Sequence, residues 1–178
     1  MASKDIVLYP DSPLTKKAAP YKRVGPDVAS FAAEMLEIMD AYDGVGLAAP
    51  QVGVSKRILV LREPENGVEL CLVNPEISET DGQDSMEEGC LSLPHVFAPV
   101  PRYTRLRVRG LNQNGKPVDF EAKDMLARII QHEVDHLDGV VFLDRVDLLT
   151  RDSKMQEWQE IRREIFTPPD NQREPHAY

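Results

Sequence analysis

Residues 124–137 read Asp-Met-Leu-Ala-Arg-Ile-Ile-Gln-His-Glu-Val-Asp-His-Leu, the stretch with the most informative pattern in the sequence. The spacing of its apolar residues predicts one helix over 124–137. Because residues four apart lie one above the other on a helix, His132 and His136 can reach a single metal ion. Glu133 lies about 100° around the helix from His132, where it can move the proton of a bound water. The stretch therefore predicts a metal-dependent hydrolytic site on a helix.

The two histidines also allow an ordinary explanation. They could be structural histidines, since a His-Glu-x-x-His match is only five residues long. Cys90, in the turn-rich segment 87–92, could complete a three-ligand site that leaves one position open for water. A single cysteine is more often a small buried apolar residue, and we assign Cys71 to packing because it lies in an apolar run. These residues alone indicate only a possible metallohydrolase.

The rest of the chain is predicted to place strands between helices. Pro26 and the periodic apolar residues after it predict a first helix that ends before Gly44, and a last helix is predicted over 153–166. We interpret 44–53 as a loop of small residues. The predicted strands are 57–62, 69–73, 103–111 and 117–122, with a hairpin turn at Asn114-Gly115. Helices on both sides of a strand-rich middle predict an α+β domain.

Charge and hydropathy exclude some classes of partner. The chain has 178 residues and a net charge of −9, so it repels polyanions, and we expect neither DNA nor an anionic membrane as a partner. No apolar run approaches the roughly 20 residues that span a bilayer. The N-terminus lacks the features of a secretory or organelle-targeting signal. We therefore expect a cytoplasmic location. We also expect a monomer.

Three segments together resemble the motifs of peptide deformylase. They are Gly44-Val45-Gly46-Leu47-Ala48-Ala49-Pro50-Gln51, Glu88-Gly89-Cys90-Leu91-Ser92 and Gln131-His132-Glu133-Val134-Asp135-His136. The resemblance implies that the chain removes the N-formyl group from the initiator formyl-methionine of nascent polypeptides and releases formate. It also implies a single catalytic domain over 1–166, in which antiparallel sheets pack around a central metal-binding helix with a helix at each end. We predict that the tail at 167–178 is disordered.

The resemblance also implies a cofactor and its ligands. Cys90, His132 and His136 would hold one divalent ion, and Glu133 would be the acid/base that activates its water. By analogy with the family the ion is Fe2+ in the cell, and Zn2+, Ni2+ or Co2+ can substitute. The ligand set alone does not choose among these metals.

Further residues of the site follow from the same resemblance. The Gln51 side chain and the Leu91 N–H would form an oxyanion hole for the formyl oxygen. Glu88 and Arg102 would form a buried ion pair that braces the cysteine loop. Five residues are expected to contact the substrate: Gly44, Val45, Gly46, Met125 and Ile129. For the last two, plain core packing explains the pattern equally well and is compatible with a substrate role.

Two departures and two alternatives remain. Some bacterial members dock on the ribosome through a basic C-terminal helix, but 151–178 holds five Lys/Arg and six Asp/Glu. We therefore do not expect a transient ribosome contact to use such a helix. Phe97 stands in a region where some members carry a substrate-binding arginine. The alternatives are a zinc metallopeptidase, against which Cys90 and the segment ending at Gln51 argue, and a non-catalytic metal-binding module, which would not need Glu133.

Overall fold

The computed structural model describes residues 5–166, so the tail predicted to be disordered, 167–178, lies outside the described residues. Three helices are present: α1 (Pro26–Ala41), α2 (Asp124–Leu137) and α3 (Leu148–Phe166). The bounds of α2 are the predicted ones. α3 begins at Leu148 rather than at the predicted 153, because Asp147 caps it: its carboxylate accepts the Thr150 N–H (3.0 Å) and the Thr150 hydroxyl (2.6 Å).

Seven strands lie within the described residues. They are β1 (Gly46–Ala48), β2 (Ile58–Arg62), β3 (Glu69–Asp81), β4 (Asp84–Cys90), β5 (Leu93–Arg102), β6 (Arg105–Leu111) and β7 (Pro117–Lys123). One antiparallel sheet has the order β1-β2-β3-β6-β7, and a second has β4 beside β5. The predicted hairpin at Asn114-Gly115 joins β6 to β7, and Gly115 takes the left-handed conformation there (φ 75°).

Three predictions of local structure were wrong, and β5 was not predicted. The segment 44–53 is not only a loop, because β1 pairs with β2. β3 does not end at Asn74 but continues to Asp81 through an irregularity in its pairing with β6, where Asn74 has φ 51°. The segment 87–92 is mostly strand: β4 runs to Cys90, and only Leu91 and Ser92 form the turn to β5.

The five-stranded sheet lies between α1 and α2. Ile58 and Val60 of β2 belong to the apolar cluster that includes α1, whereas Leu59 and Leu61 belong to the cluster that includes α2. This alternation follows from the two-residue period of a strand. A third cluster joins β5 to α3 around the buried Trp158. The α+β class with antiparallel sheets around α2 is thereby confirmed. Within residues 5–166, no helix is both long and apolar enough to cross a membrane.

Candidate active site

The three predicted metal ligands meet between α2 and the end of β4. One ligand atom from each of Cys90, His132 and His136 lies within 4.8 Å of the others. The Cys90 Sγ is 3.3 Å from His136 Nε2. His132 Nδ1 lies 3.0 Å from the carboxylate oxygen Oε2 of Glu88, which orients the ring and leaves its Nε2 for another partner. The structure thus brings Cys90 to two histidines that lie 42 and 46 positions further along the chain.

The charges around this group suit a cation. Burial would lower the pKa of His132, but hydrogen bonds to Cys90 and Glu88 outweigh it and raise the pKa, so these neighbours stabilise positive charge there. Burial lowers the pKa of His136, which keeps this imidazole neutral, the form that binds metals. A cysteine sulfur and two imidazole nitrogens are a typical donor set for a divalent transition metal. The residues present therefore fit a metal ion.

Glu133 lies beside this group and against β1. A Cβ atom on Gly46 would be 2.6 Å from Glu133 Oε1, so only glycine allows β1 to approach this carboxyl so closely. The side chain is buried, and its Oε2 has no hydrogen-bond partner within residues 5–166. Burial raises the pKa of Glu133 to about 7. A carboxyl with such a pKa can both accept and return a proton near neutral pH.

The Gln51 side chain is oriented by its own turn. The Ala48 N–H donates to Gln51 Oε1 at 2.8 Å, which fixes which end of the amide is oxygen. The Gln51 NH2 group consequently faces the cysteine turn, 3.8 Å from Cys90 Sγ and 3.5 Å from the Ser92 hydroxyl. Leu91 is the first residue of that turn. The structure therefore places both predicted oxyanion-hole residues next to the candidate ligands.

One cavity of about 710 Å³ contains the predicted substrate residues. Gly44, Val45, Gly46, Met125 and Ile129 all line it, together with Gln51, Cys90, Leu91, His132 and Glu133. Met125 is 40% exposed, so core packing does not describe it, whereas Ile129 is buried in the core and also lines the cavity. Gly44 packs against its surroundings, since a Cβ there would be 3.2 Å from the Leu91 side chain. A substrate role for these residues stays a prediction.

Glu88 and Arg102 form a two-pronged buried contact. Arg102 Nε and Nη2 each donate to one Glu88 carboxylate oxygen at 3.0 Å. Burial would raise the pKa of Glu88, but the hydrogen bonds from His132 and Arg102 outweigh it and lower the pKa to about 2. Glu88 is therefore ionised at neutral pH, and it can hold the Nδ1 proton of His132.

Several charged residues around this pair were not predicted from the sequence. Arg102 Nη1 also donates to Asp135 Oδ2 at 2.5 Å, and Arg145 holds the other Asp135 oxygen at 2.6 Å. Arg128 donates to Glu88 Oε1 at 2.7 Å. The signal available in the sequence was the presence of Arg128 and Asp135 on the helix that carries the histidines. In the structure both are buried, and buried charges need partners.

The N-terminal segment before α1 contacts the site through two backbone hydrogen bonds. The Val7 N–H donates to the Gln51 carbonyl at 2.8 Å, and the Tyr9 N–H donates to the Ser92 carbonyl at 2.9 Å. These two bonds hold the two segments that flank the Gln51 amide. No local sequence pattern indicates such long-range backbone pairing.

Comparisons with known proteins agree with this geometry. A family model described as polypeptide deformylase matches residues 3–152. A peptide deformylase of Desulforudis audaxviator is 47% identical over 146 residues, which are 82% of this chain and 94% of the relative. A peptide deformylase of Thermodesulfovibrio yellowstonii is 44% identical over 156 residues, with 85% of this chain and 94% of the relative covered.

Solved structures agree as well. The crystal structure of a peptide deformylase from Legionella pneumophila has a TM-score of 0.86 at 34% identity and covers 94% of this chain and 100% of that chain. The Ehrlichia chaffeensis peptide deformylase in complex with actinonin has a TM-score of 0.85 at 36% identity, with coverages of 92% and 99%. All of these matches are peptide deformylases, and none supports the metallopeptidase or the binding-module alternative. The chain belongs to the peptide deformylase family, the metal-dependent enzymes that remove the N-formyl group from nascent polypeptides.

Proposed function

We propose that Cys90, His132 and His136 hold one divalent ion and that Glu133 is the acid/base of the deformylation. The observation that carries the proposal is the convergence of the three ligand atoms within 4.8 Å, at the cavity that Cys90, His132 and Glu133 line. When bound, the ion would supply the Lewis acidity that makes a water nucleophilic and polarises the formyl carbonyl. We expect Fe2+, replaceable by Zn2+, Ni2+ or Co2+, from the resemblance to the family, because the donor set accepts all four.

In this proposal, Glu133 moves protons, and Gln51 and Leu91 stabilise negative charge. Glu133 takes a proton from the attacking water and later gives it to the departing amine, so that formate and a free amino terminus result. The Gln51 NH2 group and the Leu91 N–H donate to the formyl oxygen while negative charge builds on it. The Ala48 N–H donates to Gln51 Oε1, and this hydrogen bond orients the Gln51 NH2 group toward the cysteine turn before any substrate binds.

The substrate's methionine would occupy the apolar part of the cavity. Met125 and Ile129 form one wall of it, and Val45, which is 60% exposed, lies at the mouth. The small residues Gly44 and Gly46 let the peptide backbone approach β1 closely. Phe97, which is 49% exposed on the rim, offers later residues of the peptide an apolar contact and no positive charge.

We further propose that the enzyme is a cytoplasmic monomer and that any transient ribosome contact does not use α3 as a basic arm. α3 carries four basic and four acidic side chains, so its formal charge is zero. Three of the basic side chains, Arg151, Lys154 and Arg162, are paired with carboxylates. Such a helix has little attraction for the phosphates of ribosomal RNA.

Glu133→Ala tests the assignment of the acid/base. The variant should keep its metal content, because Glu133 is not one of the ligands, while turnover of a formyl-Met peptide falls by about 10²- to 10⁴-fold. Metal analysis and a formate-release assay measure the two quantities. Glu121→Ala, a change at an exposed carboxylate of β7, is the matched control and should alter neither. Undiminished turnover in Glu133→Ala would contradict the assignment.

A further inference from the structure

Arg128 joins the helix of the histidines to the hairpin of the cysteine. It lies on α2 one turn before His132 and is only 4% exposed. Its Nη1 donates to Glu88 Oε1 (2.7 Å) and to the Val100 carbonyl (2.8 Å). Its Nη2 donates to the Asp84 carbonyl (3.3 Å) and to the Asp84 carboxylate. One helical side chain therefore binds both β4 and β5.

The contact with Glu88 ties Arg128 to the candidate metal group. Glu88 precedes Cys90 by two residues on β4, and its Oε2 lies 3.0 Å from His132 Nδ1. Arg128 and His132, both on α2, therefore hold opposite oxygens of one carboxylate. The position of that carboxylate relative to α2 therefore sets how far the end of β4, where Cys90 lies, is from α2.

The charges of the cluster balance. Arginine and carboxylate alternate along one connected row, which runs Asp84, Arg128, Glu88, Arg102, Asp135, Arg145. Three positive and three negative groups leave the row neutral. Its four interior members, Arg128, Glu88, Arg102 and Asp135, are buried and also carry no net charge, whereas Asp84 and Arg145 at the ends are half exposed. Removal of an interior member would leave a buried charge without its partner next to His132.

The hairpin needs such an anchor. β4 and β5 form a two-stranded sheet among the described strands, and an isolated pair of strands is only marginally stable in water. Its pairing is also irregular between Glu88 and Cys90, just before the thiol. Backbone bonds within the hairpin fix its shape and do not fix its distance from α2.

We infer that Arg128 is a positioning residue for the metal group: it fixes Glu88, and through it Cys90, at the distance from α2 where the thiolate meets His132 and His136. The inference rests on the proposed metal-binding role of those three residues. Arg128 acts through Glu88 and the hairpin backbone and does not touch the reacting atoms.

The test uses Co2+-loaded full-length protein and two variants, Arg128→Met and Arg128→Lys. We expect Arg128→Met to release Co2+ to a chelator about 10- to 100-fold faster and to shift the cobalt absorption bands that report thiolate ligation. Arg128→Lys keeps the charge but loses the forked reach to Glu88 and Asp84, so its release rate should be intermediate. Arg107→Met, at an exposed arginine paired with Asp119, is the control and should match the unsubstituted protein.

Each outcome separates this inference from the proposed function. If the unsubstituted protein binds no Co2+, the proposed metal group fails. If it binds Co2+ and folded Arg128→Met shows the same release rate and spectrum, only the positioning role is overturned. If Arg128→Met does not fold, Asp84→Asn decides, because the Asp84 side chain is 47% exposed and its loss is tolerable. Faster release in Asp84→Asn supports the inference, and an unchanged rate overturns it.

Discussion

Helix α2 and the β4–β5 hairpin bring candidate ligands to the site in different ways. α2 offers two candidate ligands, His132 and His136, whose spacing is set by the helix itself. The hairpin offers one candidate ligand, Cys90, at the end of a strand with irregular pairing. Two of the three candidate ligands are therefore fixed relative to each other by local backbone geometry. The third is fixed only by contacts between distant parts of the chain.

Two kinds of contact hold the hairpin in place. On one side, apolar residues of β5 pack against α3 around Trp158, whose Nε1 donates to the Tyr9 carbonyl at 3.0 Å. On the other side, Glu88 and Arg102 engage α2 through His132 and Asp135. Metal binding should therefore be most sensitive to changes in the hairpin and in the residues that attach it to α2, because its position there depends on buried charges.

Replacement of the hairpin's ligand should have the largest effect. Cys90→Ser removes the soft thiolate, and a serine hydroxyl is a poor ligand for these metals, so we expect loss of bound metal and of deformylation together. Metal content per chain and formate release measure this. Cys71→Ala is the matched control: Cys71 is buried in the core, burial raises the pKa of its thiol to about 12, and its change should leave metal content intact. Full metal occupancy in Cys90→Ser would show that the hairpin supplies no ligand.

Weakening the contacts between the hairpin and α2 should have the next largest effect, a loss of stability. Arg102→Met leaves Glu88 and Asp135 without a shared buried partner, which costs about 3–5 kcal/mol of unfolding free energy. Denaturant titration of the metal-free protein measures this cost. Arg107→Met breaks a solvent-exposed pair with Asp119 and should change stability little. Equal stability of the two variants would mean that the buried charges do not anchor the hairpin.

A change on the sheet side of α2 should have the smallest effect on metal binding. Gly46→Ala brings a Cβ within 2.6 Å of Glu133 Oε1 and displaces that carboxyl, so turnover should fall by up to about 10²-fold while metal content is kept. It should also lower the melting temperature. In a Glu133→Ala background the clash is gone, and Gly46→Ala should then leave the melting temperature nearly unchanged. An equal loss in both backgrounds would contradict the close approach of β1 to Glu133.

The contrast between local and long-range contacts also explains which elements could be predicted from the sequence. The bounds of α2 follow from the spacing of its apolar residues, a local signal, and they matched the structure. β5 was missed because Pro94, Pro99 and Pro101 argue against a strand, yet proline is tolerated where one edge of a strand needs no partner. β5 pairs only with β4 among the described strands, which leaves that edge free.

The same distinction applies to the residues of the candidate site. His132, Glu133 and His136 could be found from their spacing on one helix, and the deformylase motifs supplied Cys90 and Gln51. Arg128 and Asp135 could not be assigned, because their meaning lies in which distant carboxylate or arginine each one meets in the fold. A residue's partner across 33 or 40 positions is not visible in local periodicity.

The most direct test of the central claim is metal analysis of the chain purified without oxygen, combined with an assay on formyl-Met-Ala-Ser. We expect one divalent ion per chain, loss of formate release when a chelator removes it, and recovery when Fe2+ or Ni2+ is returned. Undiminished formate release from a chain shown to be free of metal would contradict it.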